Sequence, residues 1–166
     1  MDKLDIFLIF CLLVKGKIKQ IFYQLICKQM RYNSILIFIL ALFTGMGVNM
    51  GMLFLGSWLI PLPPGVDTST REGLRNALPV LEVRHFLFPF LAHAMGTLTG
   101  AFLVTGYAKT DTFRYSMYMA GLFFIGGLST IVGMPSPLWF SITDLVLAYF
   151  PMAWLAHNFA KKLKPV

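Results

Sequence analysis

Long apolar runs without formal charge dominate the chain: no Asp, Glu, Lys or Arg occurs from Tyr32 to Val66, from His85 to Ala108, or from Tyr115 to Thr143. Each run is longer than the roughly 20 helical residues that cross a hydrocarbon core of about 30 Å. The pattern predicts helices at about 35–60, 85–108, 113–134 and 138–157, the last apolar apart from Asp144. The fold class that follows is all-α, an integral membrane bundle of four transmembrane helices.

The beginning of the chain reads differently. Ile6 to Val14 is apolar for only nine residues before Lys15, Lys17 and Lys19, which is too short to span. Asp2 and Asp5 stand where a secretory signal would carry positive charge, and no small-residue cleavage site follows. Two readings stay open: a helix over 18–26 lying in the interface, or translation starting at Met30. Residues 1–30 are thus expected to be a cytoplasmic or interfacial extension, and 31–166 the transmembrane domain with an outer loop at 61–84.

Charge changes the picture by its placement. Of 166 residues 57% are hydrophobic and 13% charged, with a formal net charge of +7; in a soluble protein that excess would suggest a nucleic-acid partner. Four spans put Lys3, Lys15, Lys17, Lys19, Lys28, Arg31, Lys109, Arg114, Lys161, Lys162 and Lys164 on one side, against Arg71, Arg75 and Arg84 on the other. The positive-inside rule makes both termini cytoplasmic, and dropping the first thirty residues preserves the bias. The expected partners are a bilayer with anionic headgroups on its cytoplasmic side, and a second copy or a larger membrane complex, with no nucleic acid.

Between the first two spans, Pro61, Pro63, Pro64 and Gly65 stop the helix. Thr68 or Ser69 is expected to cap a short helix that Pro79 ends, either a connector or a small lid at the membrane surface. Pro89 and Pro151 are expected to bend the second and fourth spans. Trp58, Trp139 and Trp154 lie near helix ends, as interfacial anchors do.

Motifs for bound groups are scarce. Cys11 and Cys27 lie on the expected cytoplasmic side, where thiols stay reduced, and no metal, phosphate-loop or serine-hydrolase signature occurs. His85 and His93 are roughly 12 Å apart along a helix, and His93 and His157 fall at opposite membrane ends. No cofactor and no metal is therefore expected. Gly47 and Gly51 form G-x-x-x-G, and Ala92, Gly96 and Gly100 repeat small residues at the same spacing. Such spacing lets helix backbones approach in lipid, and packing inside the bundle is expected ahead of homodimerisation.

Polar residues inside the spans carry the sharpest inference. Burying Asp at the centre of a spanning helix costs at least about 2.5 kcal/mol, so something must offset it. Counted from the outer boundary at about 1.5 Å per residue, Asp144 lies roughly 9 Å deep, His93 12 Å and Asn49 16 Å, with Ser129 and Thr130 at 6 to 8 Å. Thr97 and Ser141 share the helix faces of His93 and Asp144. The expectation is one buried polar cluster of Asp144, His93, Asn49, Ser129, Thr130, Thr97 and Ser141, built on small-residue faces. It either fixes helix register by hydrogen bonds or lines a proton or substrate path.

Leu91 to Ala101 (LAHAMGTLTGA) and Pro135 to His157 (PSPLWFSITDLVLAYFPMAWLAH) resemble stretches of small uncharacterised bacterial multi-pass inner-membrane proteins. The resemblance covers 31–162 and implies a location in the bacterial inner membrane; that family has no known activity, so no residue role comes with it. The leading expectation is a non-enzymatic membrane subunit or scaffold packing through glycine-rich helix faces. The alternative is a small proton-coupled transporter or permeation unit using Asp144 and His93. A membrane enzyme ranks last, for want of a nucleophile, metal set or cofactor motif.

Overall fold

The computed structural model describes residues 34–109 and 111–163. The extension before Met30, both cysteines, Arg31 and Lys164 lie outside the described residues. Helix α1 spans Ser34–Leu59. The short α2 (Arg71–Ala77) follows, and a 3-10 turn (Val83–Phe86) runs into α3 (Leu87–Tyr107). Then come α4 (Thr112–Gly133), α5 (Leu138–Leu147) and α6 (Phe150–Leu163). The described chain is an all-α bundle in which four helical stretches, 34–59, 83–107, 112–133 and 138–163, are long and apolar enough to cross a membrane.

The bundle is small inside and large outside. Ala92, Ala101, Ala120, Ala148 and Ala153 have no exposed surface, while Phe43, Phe54, Trp58, Ile125, Val132, Leu138 and Phe159 are each more than half exposed. In water such a surface would drive aggregation. In lipid, which is as apolar as a leucine side chain, helices associate instead where small residues let backbones come close.

Helix α1 meets α3 at such a point. A Cβ on Gly45 would stand 2.6 Å from the Gly96 carbonyl oxygen, and one on Gly96 would stand 2.9 Å from the Gly45 carbonyl oxygen. Gly100 is closed off by Met119 and the Ala41 carbonyl, and Ala92 is fully buried. The Ala92, Gly96 and Gly100 stripe therefore packs inside the bundle. Gly47 and Gly51 do not: among the described residues, a Cβ on either would touch nothing within 4 Å. The cause is helical phase, since Gly47 follows Gly45 by two residues and is rotated about 200° from it. The inward stripe of α1 runs through Ala41 and Gly45 to Gly56.

The fourth span is broken where one helix with a bend was expected. Pro151 has no N–H to donate to the Leu147 carbonyl, and its ring would strike that group. The chain leaves α5 at Ala148, whose N–H reaches the Asp144 carbonyl at 2.9 Å, and re-enters helix after Tyr149. Helix α6 continues six residues past the expected end, and Lys161 and Lys162 lie in its last turn, where cations meet the negative end of the helix dipole. Pro89 lies in the first turn of α3, at its junction with the 3-10 turn, a position where a missing donor is tolerated.

Between α1 and α3 the chain turns at Pro63 to Val66, with Gly65 at φ +81° and the Val66 N–H on the Pro63 carbonyl at 3.2 Å. That backbone angle favours glycine. The cap of α2 is Thr70, one or two residues later than expected: its Oγ1 accepts from the Gly73 N–H at 3.0 Å. Capping reaches two or three residues ahead, and the helix begins at Arg71. Asp67 accepts from the Ser69 N–H at 2.8 Å, and its hydrogen bonds with Ser69 hold the carboxyl below the usual carboxylate range.

Candidate functional site

Asp144 stands one turn after Phe140 and Ser141 on the inner face of α5, with no exposed surface. A bare carboxylate there would be prohibitive; this one is fully engaged. Both its oxygens lie 2.9 Å from Nδ1 of His93 on α3, and Oδ2 also accepts the Tyr149 hydroxyl at 2.8 Å. The Tyr149 ring lies beside the imidazole, centroids 5.7 Å apart, and edge-on to Phe124. With a carboxylate accepting at Nδ1, that nitrogen carries the proton of the neutral imidazole.

Tyr149 has no counterpart among the residues singled out from sequence. In an unbroken helix, five residues of separation would put its side chain about 140° away from Asp144. The break after Ala148 brings it back. Pro151 was the available signal, because a proline frees the helix just before it. The ring also needs Gly127 on α4: a Cβ there would overlap the Tyr149 hydroxyl.

His93 and Asp144 form part of the wall of a cavity of about 520 Å³ that lies toward the end of the bundle carrying α2. That volume falls in the range of small-molecule pockets, about 300 to 1,000 Å³. Apolar side chains make most of the wall, among them Leu53, Phe86, Phe88, Ile131 and Phe140, while Leu62, Leu74 and Leu81 from the α1–α3 connection reach over it. The connection is thus more than a tether, since its apolar residues border the cavity.

All four spans contribute a polar group to this wall: Asn49, His93, Thr130 and Asp144. Asn49 packs against α3 at Gly96, three residues after His93. Thr130 donates back to the Gly126 carbonyl at 3.0 Å. Thr97 is buried behind the wall with its hydroxyl on the His93 carbonyl at 2.8 Å. Ser141 bonds Ser136 at 2.8 Å, a turn from Asp144, and Ser136 also lines the cavity. Ser129 does not join them. The inner stripe of α4 runs through Ser116, Ala120, Phe123 and Gly127; Ser129 and Thr130, two and three residues past Gly127, are both exposed rather than buried as expected, and of the two only Thr130 borders the cavity.

A second polar group lies toward the other end of the bundle. Thr105, Ser116 and His157 are buried together, with the two hydroxyls 2.6 Å apart and His157 Nδ1 3.2 Å from Thr105. Sequence reasoning set His157 aside as a residue at the membrane end. Between the two polar groups Ala101, Ala120, Ala153 and Ala156 pack into one buried layer. Among the described residues, no three His, Cys, Asp or Glu side chains converge as a metal site would require.

Comparison with protein-family models, curated proteins and solved structures gives no match to this chain.

Proposed function

We propose that this chain is a small proton-linked permeation unit, which takes a small amphipathic molecule into the His93–Asp144 cavity and couples its occupancy to the protonation of that pair. One observation carries the reading: the most buried ionisable pair of the bundle forms part of the wall of an otherwise apolar cavity. A pair that served only to fix helix register would need its two helices and nothing more, and packed side chains would seal it. The buried cluster of Ala101, Ala120, Ala153 and Ala156 lies beyond the cavity, where a permeation unit needs a barrier.

The same reading puts the molecule in a bacterial inner membrane, with the cavity opening outward and both termini in the cytoplasm. The described cations support that orientation: Lys109, Arg114, Lys161 and Lys162 gather at one end of the bundle, Arg71, Arg75 and Arg84 at the other. One observation favours the scaffold reading instead: no described residue packs against Gly47 or Gly51, which leaves their G-x-x-x-G face open to a helix of another chain.

Native mass spectrometry of the full chain, released from mild detergent at about pH 5 and about pH 8, tests the proposal across the range in which imidazoles change charge. A non-protein molecule is expected on the wild type, at an occupancy that differs between the two pH values. It should be absent from Asp144→Asn and His93→Gln proteins that keep their helix content. An empty wild type, with both variants failing to assemble, would establish the pair as purely structural.

A further inference from the structure

Within the spans, the polar wall of the cavity holds two side chains with unused hydrogen-bonding capacity, His93 and Asn49, and their chemistry selects a head group. His93 bonds Asp144 through Nδ1, and Nε2 has no partner among the described residues. No buried side-chain nitrogen or oxygen in the described structure lacks a partner, so Nε2 is not sealed inside protein; the ring is 17% exposed and lines the cavity. The Asn49 amide likewise has no partner among the described residues and lines the same cavity. Asp144 is engaged by His93 and Tyr149, Thr130 by Gly126, Ser136 by Ser141 and Ser57 by Phe54, while Thr68 and His85 line the cavity from the connection before α3, outside the polar group of the spans.

We infer that the ligand of this cavity is a neutral hydroxyl-bearing apolar molecule, a long-chain or ring alcohol whose hydroxyl sits between His93 Nε2 and the Asn49 amide. The inference rests on the reading of the cavity as a ligand site. With Nδ1–H directed at Asp144, neutral His93 offers a lone pair at Nε2, which accepts an O–H; Asn49 can donate to the same oxygen. When the imidazole takes up a proton, Nε2 becomes a donor and the hydroxyl oxygen accepts from it. A hydroxyl pairs in both states. A ketone pairs with Nε2 only when the imidazole is charged and an ammonium only when it is neutral, each being left with Asn49 alone in the other state, while a carboxylate brings a second negative charge beside Asp144. Asp144 acts here as a positioning residue: it sets which nitrogen of His93 faces the ligand.

Trp139 provides the reporter, since its ring lies 5.5 Å from Phe86 and 5.9 Å from Phe140, both in the cavity wall. The full chain carrying Trp58→Phe and Trp154→Phe, in nanodiscs of zwitterionic lipid, is titrated with 1-decanol, 2-decanone, decanoate and decane. A saturable fluorescence change is expected, with decanol about tenfold tighter than decane or decanoate. His93→Phe should level decanol with decane. Asp144→Asn, whose amide can donate to Nδ1 and move the proton to Nε2, should raise ketone affinity relative to alcohol, an exchange that a merely structural role would not produce. Histidine-selective nitrogen NMR of the unmodified chain follows Nε2 without any variant and should show it moving with decanol but not with decane. Equal affinities for decanol and decane would overturn the hydroxyl assignment while leaving the cavity a ligand site. No saturable response to any of the four probes would overturn both readings.

Discussion

Tyr149 and Gly127 fit each other as ring and gap: the tyrosine hydroxyl reaches Asp144 at 2.8 Å through space that a Cβ on Gly127 would occupy. One glycine on α4 therefore governs how a carboxylate on α5 is satisfied.

Replacing Gly127 with Ala should displace Tyr149 and destabilise the bundle by about 1 to 3 kcal/mol, the usual cost of overpacking. The neighbouring Gly126→Ala change meets open space and should be close to neutral. Tyr149→Phe removes a hydrogen bond to the carboxylate, worth about 1.5 to 3 kcal/mol. Because both substitutions act on one contact, the double variant should lose less than the sum. Thermal unfolding in detergent measures all four proteins.

The two glycine pairs of α1 and α3 should separate cleanly. Gly45→Ala and Gly96→Ala each force a methyl onto a facing carbonyl at 2.6 and 2.9 Å, and should cost roughly 1 to 3 kcal/mol. Gly47→Ala and Gly51→Ala, with nothing within 4 Å, should be neutral or slightly stabilising through helix propensity. Equal loss from both sets in a detergent melting series would contradict the packing of α1.

The turn before α2 should respond to acid in a defined window. Asp67 has a carboxyl lowered by its bonds with Ser69, so the stabilisation is complete above the unfolded value of about 3.9 and is lost as pH falls through the lower folded value. Protection of the Ser69 amide, its exchange measured against the intrinsic rate at each pH, should therefore hold steady near neutral pH and fall only in strong acid. Asp67→Asn should remove the acid dependence. Thr70→Ala should fray α2 at any pH, by about 1 kcal/mol.

Orientation can be read by labelling. With Cys11 and Cys27 replaced by Ser, a cysteine introduced at Val80 should react with an impermeant maleimide in intact cells. One introduced at Lys162 should react only after permeabilisation. The opposite result would reverse the proposed topology.

The spans were legible because charge-free windows are a property of composition, readable without knowing any contact. Facing was harder. Gly45, Gly47 and Gly51 look alike along the chain, and only the neighbour across from Gly45, the Gly96 carbonyl, decides which of them is buried. Ser129 and Thr130 are both exposed, and only Thr130 borders the cavity. His93 and Asp144 could be expected near one depth from helical rise alone, whereas Tyr149 depended on a helix break whose position follows from Pro151 but whose direction does not. Thr68, Ser69 and Thr70 are three adjacent candidates for one cap, separated only by where the backbone first turns helical.

The alanine layer between the two polar groups has an electrical consequence. Ala101, Ala120, Ala153 and Ala156 carry no group that can hand on a proton, so the His93–Asp144 pair and the Thr105–Ser116–His157 group are terminals without a wire. In this conformation the molecule should be an insulator. Vesicles containing it, loaded with a pH-sensitive dye, should hold an imposed proton gradient as long as empty vesicles do, and any current through the protein must await a rearrangement of that layer.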